Sequence, residues 1–342
     1  MRLAPFVASC VLAGLGALGF PAAHAAGAAV SVVAADAPQL DLTGYTEESG
    51  VITVLHGGHS FDPYFAMQAL LLANENGMDI SAPAEKFVNW LVPYQKPDGT
   101  FDRFCRSAPK KWLACKSADA DDSLLAMWMK LLETMPAQLK KNPVWMKSYL
   151  SSKATLARLF QPSRGIYMVS HLYLHGLFMD NLEVWSLKIH QQSSLAPAQR
   201  AEADKLAQAI RDTFWDPVNK RFLVSTQLEQ RAETPAFYPD HVAQIFPLLV
   251  DFPLLPAAPR TYYRNWMSAH RADWLSQGKT DYPWGLVAVL ALRQDDKTSA
   301  RCWMRESGRL RHTSRWAVTD ETSWQILSSK GLTPAANTAN CN

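Results

Sequence analysis

Residues 119–133 read DADDSLLAMWMKLLE and place three carboxylates directly before a run of apolar residues. Because Asp is favoured at helix N-termini, where backbone N–H groups lack partners, the carboxylates mark the start of a helix. The three- and four-residue spacing of the apolar residues predicts a helix that buries a broad face. Those residues are Leu124, Leu125, Trp128, Leu131 and Leu132.

The same arrangement of an acidic residue before an apolar helix recurs along the chain, at Asp62, Asp180, Asp240, Asp281 and Asp320. We call each of these acidic helix N-termini a head. Successive heads are about 40–60 residues apart, which is enough for a helix, a returning helix and their connections. The intervening helices, such as 196–214, are amphipathic, so they belong outside a ring of apolar helices. The predicted fold class is all-α, an (α/α)6 toroid of helical hairpins with small β-hairpin insertions at 165–178 and 216–226.

The N-terminus has the pattern of a secretory signal. Residues 1–25 contain one Arg, an apolar run and the small-residue site Ala23-His24-Ala25. We therefore predict a signal peptide at 1–25, an N-terminal extension at 26–53 and the toroid domain at 54–342. The mature protein is expected to be periplasmic or secreted, and no later apolar run is long enough to be a transmembrane segment.

Removal of the leader leaves four cysteines, an even number that fits disulfide formation in an oxidising compartment. The pairings between neighbouring cysteines are Cys105 with Cys115 and Cys302 with Cys341, although sequence alone leaves all three connectivities open. The first pair brackets the loop that leads into the acidic residues at 119–122, and a bond there would restrict that loop.

Charge and motifs exclude several classes of partner and cofactor. The net charge is +3 and the Lys and Arg residues are scattered, so we predict no nucleic-acid binding, which requires clustered positive charge. The sequence has no P-loop, no G-x-G-x-x-G and no G-x-S-x-G elbow, and we predict no cofactor. His56 and His59 lack further ligands at metal-site spacing, and we predict no metal site.

Three heads carry more acid than capping requires. Asp121 and Asp122 follow Asp119, Glu183 follows Asp180, and Glu321 follows Asp320 directly. Like charges held together raise at least one pKa, and a pair of carboxyl groups with separated pKa values can serve as proton donor and acceptor. The alternatives are helix capping, which we favour for Asp240 and Asp281, and a capping box between Asp180 and Glu183.

The order of helices and their acidic heads resembles the six-hairpin (α/α)6 glycosidase-like superfamily over residues 62–329. In that superfamily, carboxylates at the N-terminal ends of inner helices act as general acid and base. The resemblance implies an exported carbohydrate-active enzyme, a glycoside hydrolase using paired carboxylates. The predicted catalytic residues are Asp62, Asp121, Asp122, Glu183, Asp320 and Glu321.

Aromatic and polar residues at the heads predict an oligo- or polysaccharide as the substrate, since flat rings match the apolar faces of sugars. Core packing is the alternative for the tryptophans. The predicted substrate-binding residues are Asp119, Asp180, Tyr64, His59, Trp128, Trp185, Tyr238, Tyr282, Trp284 and Trp324.

Three other functions stay open. A polysaccharide lyase would use a Tyr or His base, for which Tyr238, His241 and His171 are available. A non-catalytic glycan-binding protein would keep the aromatic residues without needing separated carboxyl pKa values. Finally, the DxDD sequence at 119–122 and residues 95–101, QKPDGTF, resemble motifs of class II terpene cyclases, which are also helical toroids.

Overall fold

The computed structural model describes residues 37–109, 111–192, 197–231, 234–336, 338 and 341, with residues 197–200 described by backbone alone. The predicted signal peptide and the first part of the predicted extension lie outside the described residues, so both stay predictions. No helix in the described part of the chain is long and apolar enough to span a membrane.

Twelve α-helices dominate the described residues. In chain order they are α1 (Pro63–Glu75), α2 (Ser81–Leu91), α3 (Asp121–Thr134), α4 (Ala137–Lys140), α5 (Pro143–Leu159), α6 (Phe178–Gln191), α7 (Pro197–Phe214), α8 (Val242–Leu249), α9 (Pro259–Ser276), α10 (Gly285–Arg293), α11 (Lys297–Ser307) and α12 (Val318–Ser329).

Six of these helices form a closed inner ring. Helices α1, α3, α6, α8, α10 and α12 each pack against the next, and α12 packs against α1. Outside the ring, α5 packs on α3, α7 on α6, α9 on α8 and α11 on α10. This alternation of inner and outer helices confirms the predicted (α/α)6 toroid. Residues 37–59 form turns and isolated bridges, and Leu40 to Val54 contribute side chains to the core.

The sequence pattern explains which helices lie inside. Helix α10 reads GLVAVLALR, and its residues 285–291 are all buried, whereas α7 has a polar face. Gly285 permits a close approach to two neighbours: a Cβ at this position would lie 2.6 Å from Cβ of Ser323 and 2.8 Å from the ring of Trp303. Any larger residue would therefore force α10 away from α12.

Short β-structures lie between the helices. Strands β1 (Ser60–Phe61), β2 (Asp102–Ala108) and β3 (Lys111–Ser117) form an antiparallel sheet in that order. The remaining pairs are β4 (Phe160–Gln161) with β5 (Ile166–Tyr167), and β6 (Trp215–Asp216) with β7 (Arg221–Phe222). The hairpin predicted at 216–226 is thus present. The segment predicted as a hairpin at 165–178 instead pairs with its neighbours: Ile166–Tyr167 with Phe160–Gln161, and Leu177 with Ser225.

Disulfides connect Cys105 with Cys115 and Cys302 with Cys341, the two pairings of cysteines that are neighbours in the sequence. The first joins β2 to β3 and so fixes the hairpin that precedes the acidic head of α3. The second attaches the C-terminal segment to α11.

The inner helices run in one direction, so like ends meet. At the N-terminal ends, Tyr64 of α1 contacts Glu183 of α6, and the N–H of Gly285 contacts Asp320 of α12. At the opposite ends, Nζ of Lys130 of α3 contacts both Glu75 of α1 and Ser186 of α6. We call the end where the helix N-termini meet the acidic pole.

Glu321 of α12 forms an ion pair with Arg311, which follows α11; Glu321 is buried and Arg311 is partly exposed. Its carboxylate accepts hydrogen bonds from Nε and Nη2 of Arg311, at 2.9 and 2.7 Å, and from Nε1 of Trp316 at 2.9 Å. The carbonyl oxygen of Trp316 accepts from the hydroxyl of Tyr45 at 3.2 Å and from the N–H of His56 at 3.1 Å. The N-terminal segment is thereby held against the closing helix of the ring.

We predict that Glu321→Gln destabilises the protein by about 3 kcal/mol, because the substitution leaves the charge of Arg311 without its buried partner. The measurement is equilibrium unfolding in denaturant. Glu306→Gln is the matched control, since Glu306 pairs with Arg305 in an exposed position and its loss should cost at most about 1 kcal/mol. Equal effects of the two substitutions would contradict the prediction.

Candidate active site

The acidic pole brings together side chains from the heads of three inner helices. Tyr64 of α1, Asp122 of α3, and Asp180 and Glu183 of α6 lie within electrostatic reach of one another. Each is in the first two turns of its helix, where unpaired N–H groups favour negative charge. We call these four residues the carboxyl cluster.

Asp122 is the most deeply placed member of the carboxyl cluster. Its side chain is 0% exposed, and neither carboxyl oxygen has a hydrogen-bond partner. Burial raises its pKa well above the usual value, and the charges of Asp180 and Glu183 raise it further; nearby backbone N–H groups only partly offset these effects. Burial therefore favours the protonated form of Asp122.

Glu183 and Tyr64 form the hydrogen bond that joins α1 to α6. The hydroxyl of Tyr64 donates to Oε1 of Glu183 at 2.8 Å, and the amide of Gln68 donates to the Tyr64 hydroxyl at 3.2 Å. Burial, followed by the charge of Asp180, raises the pKa of Glu183 well above its usual value. The capping box considered for Glu183 and Asp180 is absent, because Leu177 is the N-cap of α6.

Of the three carboxyl residues in the cluster, Asp180 is the most exposed. The residue is partly exposed, although Oδ2 is buried without a hydrogen-bond partner. Burial raises its pKa to about 7, with a further contribution from the negative charge of Asp119. A carboxyl group that titrates near neutral pH and remains accessible has the properties of a general acid.

Asp119 supplies an exposed carboxylate beside this cluster. Its side chain is 78% exposed, and Oδ2 lies 2.7 Å from Nη1 of Arg103 on β2. The ion pair orients the Asp119 carboxylate. Arg103 was not predicted as a site residue; it is the second residue of β2, just after the QKPDGTF stretch at 95–101.

Asp62 and Asp121 flank the carboxyl cluster. Asp62 caps α1, since its Oδ1 accepts from the N–H of Tyr64 at 3.0 Å, and burial raises its pKa. Burial also raises the pKa of Asp121, to about 6. Lys96 and His171 lie near Asp121 and act against that shift.

A second group of acidic residues lies at the heads of α10 and α12. Asp320 is 1% exposed, its Oδ1 accepts from the N–H of Gly285 at 2.7 Å, and burial raises its pKa to about 7. The pKa of Glu321 is lowered: burial would raise it, but the hydrogen bonds from Arg311, Gln325 and Trp316 outweigh that effect. Glu321 therefore has the environment of a structural carboxylate.

The remaining heads differ from the predicted arrangement. Asp240 lies in a π-helical turn before α8, where its Oδ2 accepts from the N–H of Ala236 at 3.0 Å. Asp281 is exposed and precedes the first residue of α10 by four positions, so it does not cap that helix. Pro283 and the left-handed backbone of Trp284 (φ 57°) delay the helix start.

Aromatic side chains divide between the core and the pole. Trp128 and Trp185 are 0% and 3% exposed, so they have no surface for a ligand at the pole. Trp324 packs with Trp303 and Trp316, under the guanidinium of Arg311. These placements follow the core-packing alternative.

Three aromatic rings line the pole itself. Tyr238, which is 53% exposed, stacks on Trp284 with ring centroids 5.3 Å apart. Tyr282 contacts Phe65 at the head of α1, with centroids 5.8 Å apart. His59 is exposed beside β1, where its carbonyl oxygen accepts from the N–H of Arg106. Tyr238 and Trp284 thus form a flat apolar surface with an exposed outer ring.

Comparisons with known proteins identify relatives by fold. No protein-family model and no curated protein sequence matches the chain. Among solved structures, the chain is similar to an alpha-amylase from Clostridium perfringens (TM-score 0.55, 7% identity, covering 85% of this chain and 95% of that one). A reducing-end xylose-releasing exo-oligoxylanase is also similar (TM-score 0.52, 13% identity, covering 83% and 84%).

A third similar structure is a GH63 mannosylglycerate hydrolase from Thermus thermophilus in complex with glucose (TM-score 0.50, 11% identity, covering 84% of this chain and 98% of that one). These neighbours have the (α/α)6 toroid of the six-hairpin glycosidase-like superfamily. The resemblance predicted from the acidic heads is therefore confirmed at the level of fold.

We predict that Asp320 makes the protein less stable as the pH rises from about 4 to about 7. Its pKa is about 7 in the folded protein against a usual value of 3.8, so the folded state keeps a proton that the unfolded state has lost. The stabilisation is complete below about pH 4 and is lost as the pH approaches 7, by at most about 1.4 kcal/mol per pH unit.

Denaturant unfolding across this pH range provides the measurement. Asp320→Asn should make the unfolding free energy less dependent on pH, because the amide does not titrate. Asp281→Asn, which removes an exposed carboxylate before α10, should leave the pH dependence of the unfolding free energy unchanged. Identical slopes for the unaltered protein and Asp320→Asn would contradict the prediction.

Proposed function

We propose that the chain is a glycoside hydrolase in which Asp180 is the general acid and Asp119 the general base. One observation carries this proposal. An accessible carboxyl group whose pKa is about 7 lies within electrostatic reach of an exposed, ion-paired carboxylate. Acid-base hydrolysis of a glycosidic bond requires one carboxyl group that donates a proton and a second that accepts one.

The reaction assigns one proton transfer to each residue. Asp180 donates its proton to the glycosidic oxygen as the bond from that oxygen to the anomeric carbon breaks. Asp119 removes a proton from the water whose oxygen attacks the anomeric carbon. The proton gained by Asp119 and the proton lost by Asp180 then exchange with solvent, which restores both groups.

Burial assigns a different role to the other carboxyl groups of the cluster. Asp122 and Glu183 are 0% and 7% exposed, so a sugar at the pole cannot reach Asp122 and meets little of Glu183. Burial raises the pKa of both carboxyl groups well above their usual values. We assign both to positioning, with the Tyr64 hydroxyl fixing the carboxyl of Glu183.

The stacked pair Tyr238 and Trp284 supports a saccharide as the substrate. Its outer ring is exposed at the acidic pole, where the charges of Asp180 and Glu183 act on the Tyr238 hydroxyl. An apolar ring beside carboxylates matches a sugar, which has apolar C–H faces and a polar rim. The similar structures named above include an amylase, an exo-oligoxylanase and a mannosylglycerate hydrolase, and this agrees with a carbohydrate substrate.

A lyase is less well supported than a hydrolase. Lyase chemistry needs a deprotonated base, and burial, followed by the charges of Asp180 and Glu183, raises the pKa of Tyr238 to about 12. A tyrosinate at this position would be rare near neutral pH. Export to the periplasm or the medium remains part of the proposal, and the two disulfides support it because such bonds persist in oxidising compartments.

We predict that Asp180→Asn slows cleavage of natural glycosides by about 100-fold or more, because the amide cannot donate the proton. Cleavage of dinitrophenyl glycosides, whose leaving group needs no proton, should be much less affected. The measurement compares kcat/KM for the two kinds of substrate across a panel of sugars. If the Asp180→Asn variant folds and loses kcat/KM equally on both kinds of substrate, the general acid is a residue other than Asp180.

We predict that Asp119→Asn loses activity on both kinds of substrate and regains part of it with added sodium azide. Azide attacks the anomeric carbon without needing a base, so it replaces the activated water. The product is a glycosyl azide, detectable by mass spectrometry. Asp281→Asn is the matched control, because it removes another exposed carboxylate at the pole. Azide rescue of the control, or none for Asp119→Asn, would contradict the assignment.

A further inference from the structure

A second concave site lies away from the carboxyl cluster. A cavity of about 740 Å³ opens between α7 and α9, and the β6–β7 hairpin forms part of its wall. Small-molecule sites in proteins have volumes of about 300–1,000 Å³. None of the residues that we assign to hydrolysis lines this cavity, so its function is a separate question.

The charge of this cavity is opposite to that of the acidic pole. Its lining contains Arg211, Lys220, Arg221 and Arg231, against one carboxylate, Asp240. The Asp240 carboxylate already accepts from the N–H of Ala236. Such a surplus of positive groups around a partly enclosed volume attracts an anion.

Arg211 has the clearest unused binding capacity. Its guanidinium lies 4.1 Å from the ring centroid of Trp215 and 5.6 Å from that of Phe222, which fixes its plane. Nη1 is buried and has no hydrogen-bond partner. By contrast, Nε of Arg231 donates to the carbonyl oxygen of Ser225. A guanidinium fork held in one orientation is suited to a planar carboxylate.

Histidine and amide side chains and apolar surfaces complete the lining. The rings of His241 and His270 stack with centroids 4.0 Å apart, and Nδ1 of His241 makes no hydrogen bond, with Oδ2 of Asp273 at 3.6 Å. Asn265 is exposed on α9 and lines the same cavity. These groups can bind hydroxyls, while Trp215 and Tyr262 provide apolar surface.

We propose that this cavity binds a carboxylate-bearing unit of an acidic saccharide, with the carboxylate on Arg211. The volume argues for a ring-bearing ligand, since a single inorganic anion would leave most of the cavity unfilled. The site is distinct from the proposed hydrolytic site and does not depend on it.

Isothermal titration of the whole chain with tetragalacturonate, and with its neutral methyl ester, tests this proposal. We expect the acid to bind at least about tenfold more tightly than the ester, because hydrogen bonds between charged groups are lost in the ester. Arg211→Gln should weaken binding of the acid by about tenfold or more for the same reason. Asp180→Asn should leave it unchanged, which separates this site from the hydrolytic one.

Arg264→Gln is the matched control, since Arg264 is exposed on α9 and does not line the cavity. If Arg211→Gln does not fold, Lys220→Gln at the exposed hairpin turn should still reduce affinity about two- to fivefold. Equal binding of acid and ester would overturn the proposal, as would an effect of the control as large as that of Arg211→Gln. Sulfate binding as tightly as tetragalacturonate would also overturn it, because the site would then recognise an anion alone.

Discussion

The common direction of the six inner helices is the constraint on which the proposed chemistry depends. It gathers six N-terminal ends at one pole, where unpaired backbone N–H groups favour acidic side chains. Those side chains are buried to different depths: Asp122 is enclosed, Asp180 is partly exposed and Asp119 is exposed. The carboxyl groups at the pole therefore occupy different environments.

These environments separate carboxyl groups that the sequence presents as equivalent. Asp119, Asp121 and Asp122 lie within four residues, yet one is ion-paired at the surface and one has no hydrogen-bond partner. Helical rotation of about 100° per residue explains the difference between Asp121 and Asp122, since adjacent positions face different neighbours. A sequence motif can therefore indicate where chemistry lies without indicating which carboxylate is accessible.

The fold could be predicted because its signals are periodic and local. Apolar spacing located the inner helices, and Asp62 with Pro63 marked the start of α1 correctly. The site was harder to predict, because burial and pairing depend on residues distant in sequence. The Tyr64–Glu183 contact spans 119 residues, and Arg311, which makes Glu321 structural, lies on an irregular segment after α11. The β2–β3 hairpin was missed because its alternation was shorter than the helical pattern around it.

The two proposed sites have opposite charges, and this bears on what each can bind. Acidic side chains crowd the pole, so an anionic sugar there would meet repulsion from Asp62, Asp119 and Asp281. A saccharide with carboxylate groups would instead be attracted to the cavity between α7 and α9, where Arg211 has an unpartnered nitrogen. Because the two surfaces carry opposite charge, they favour ligands of different charge.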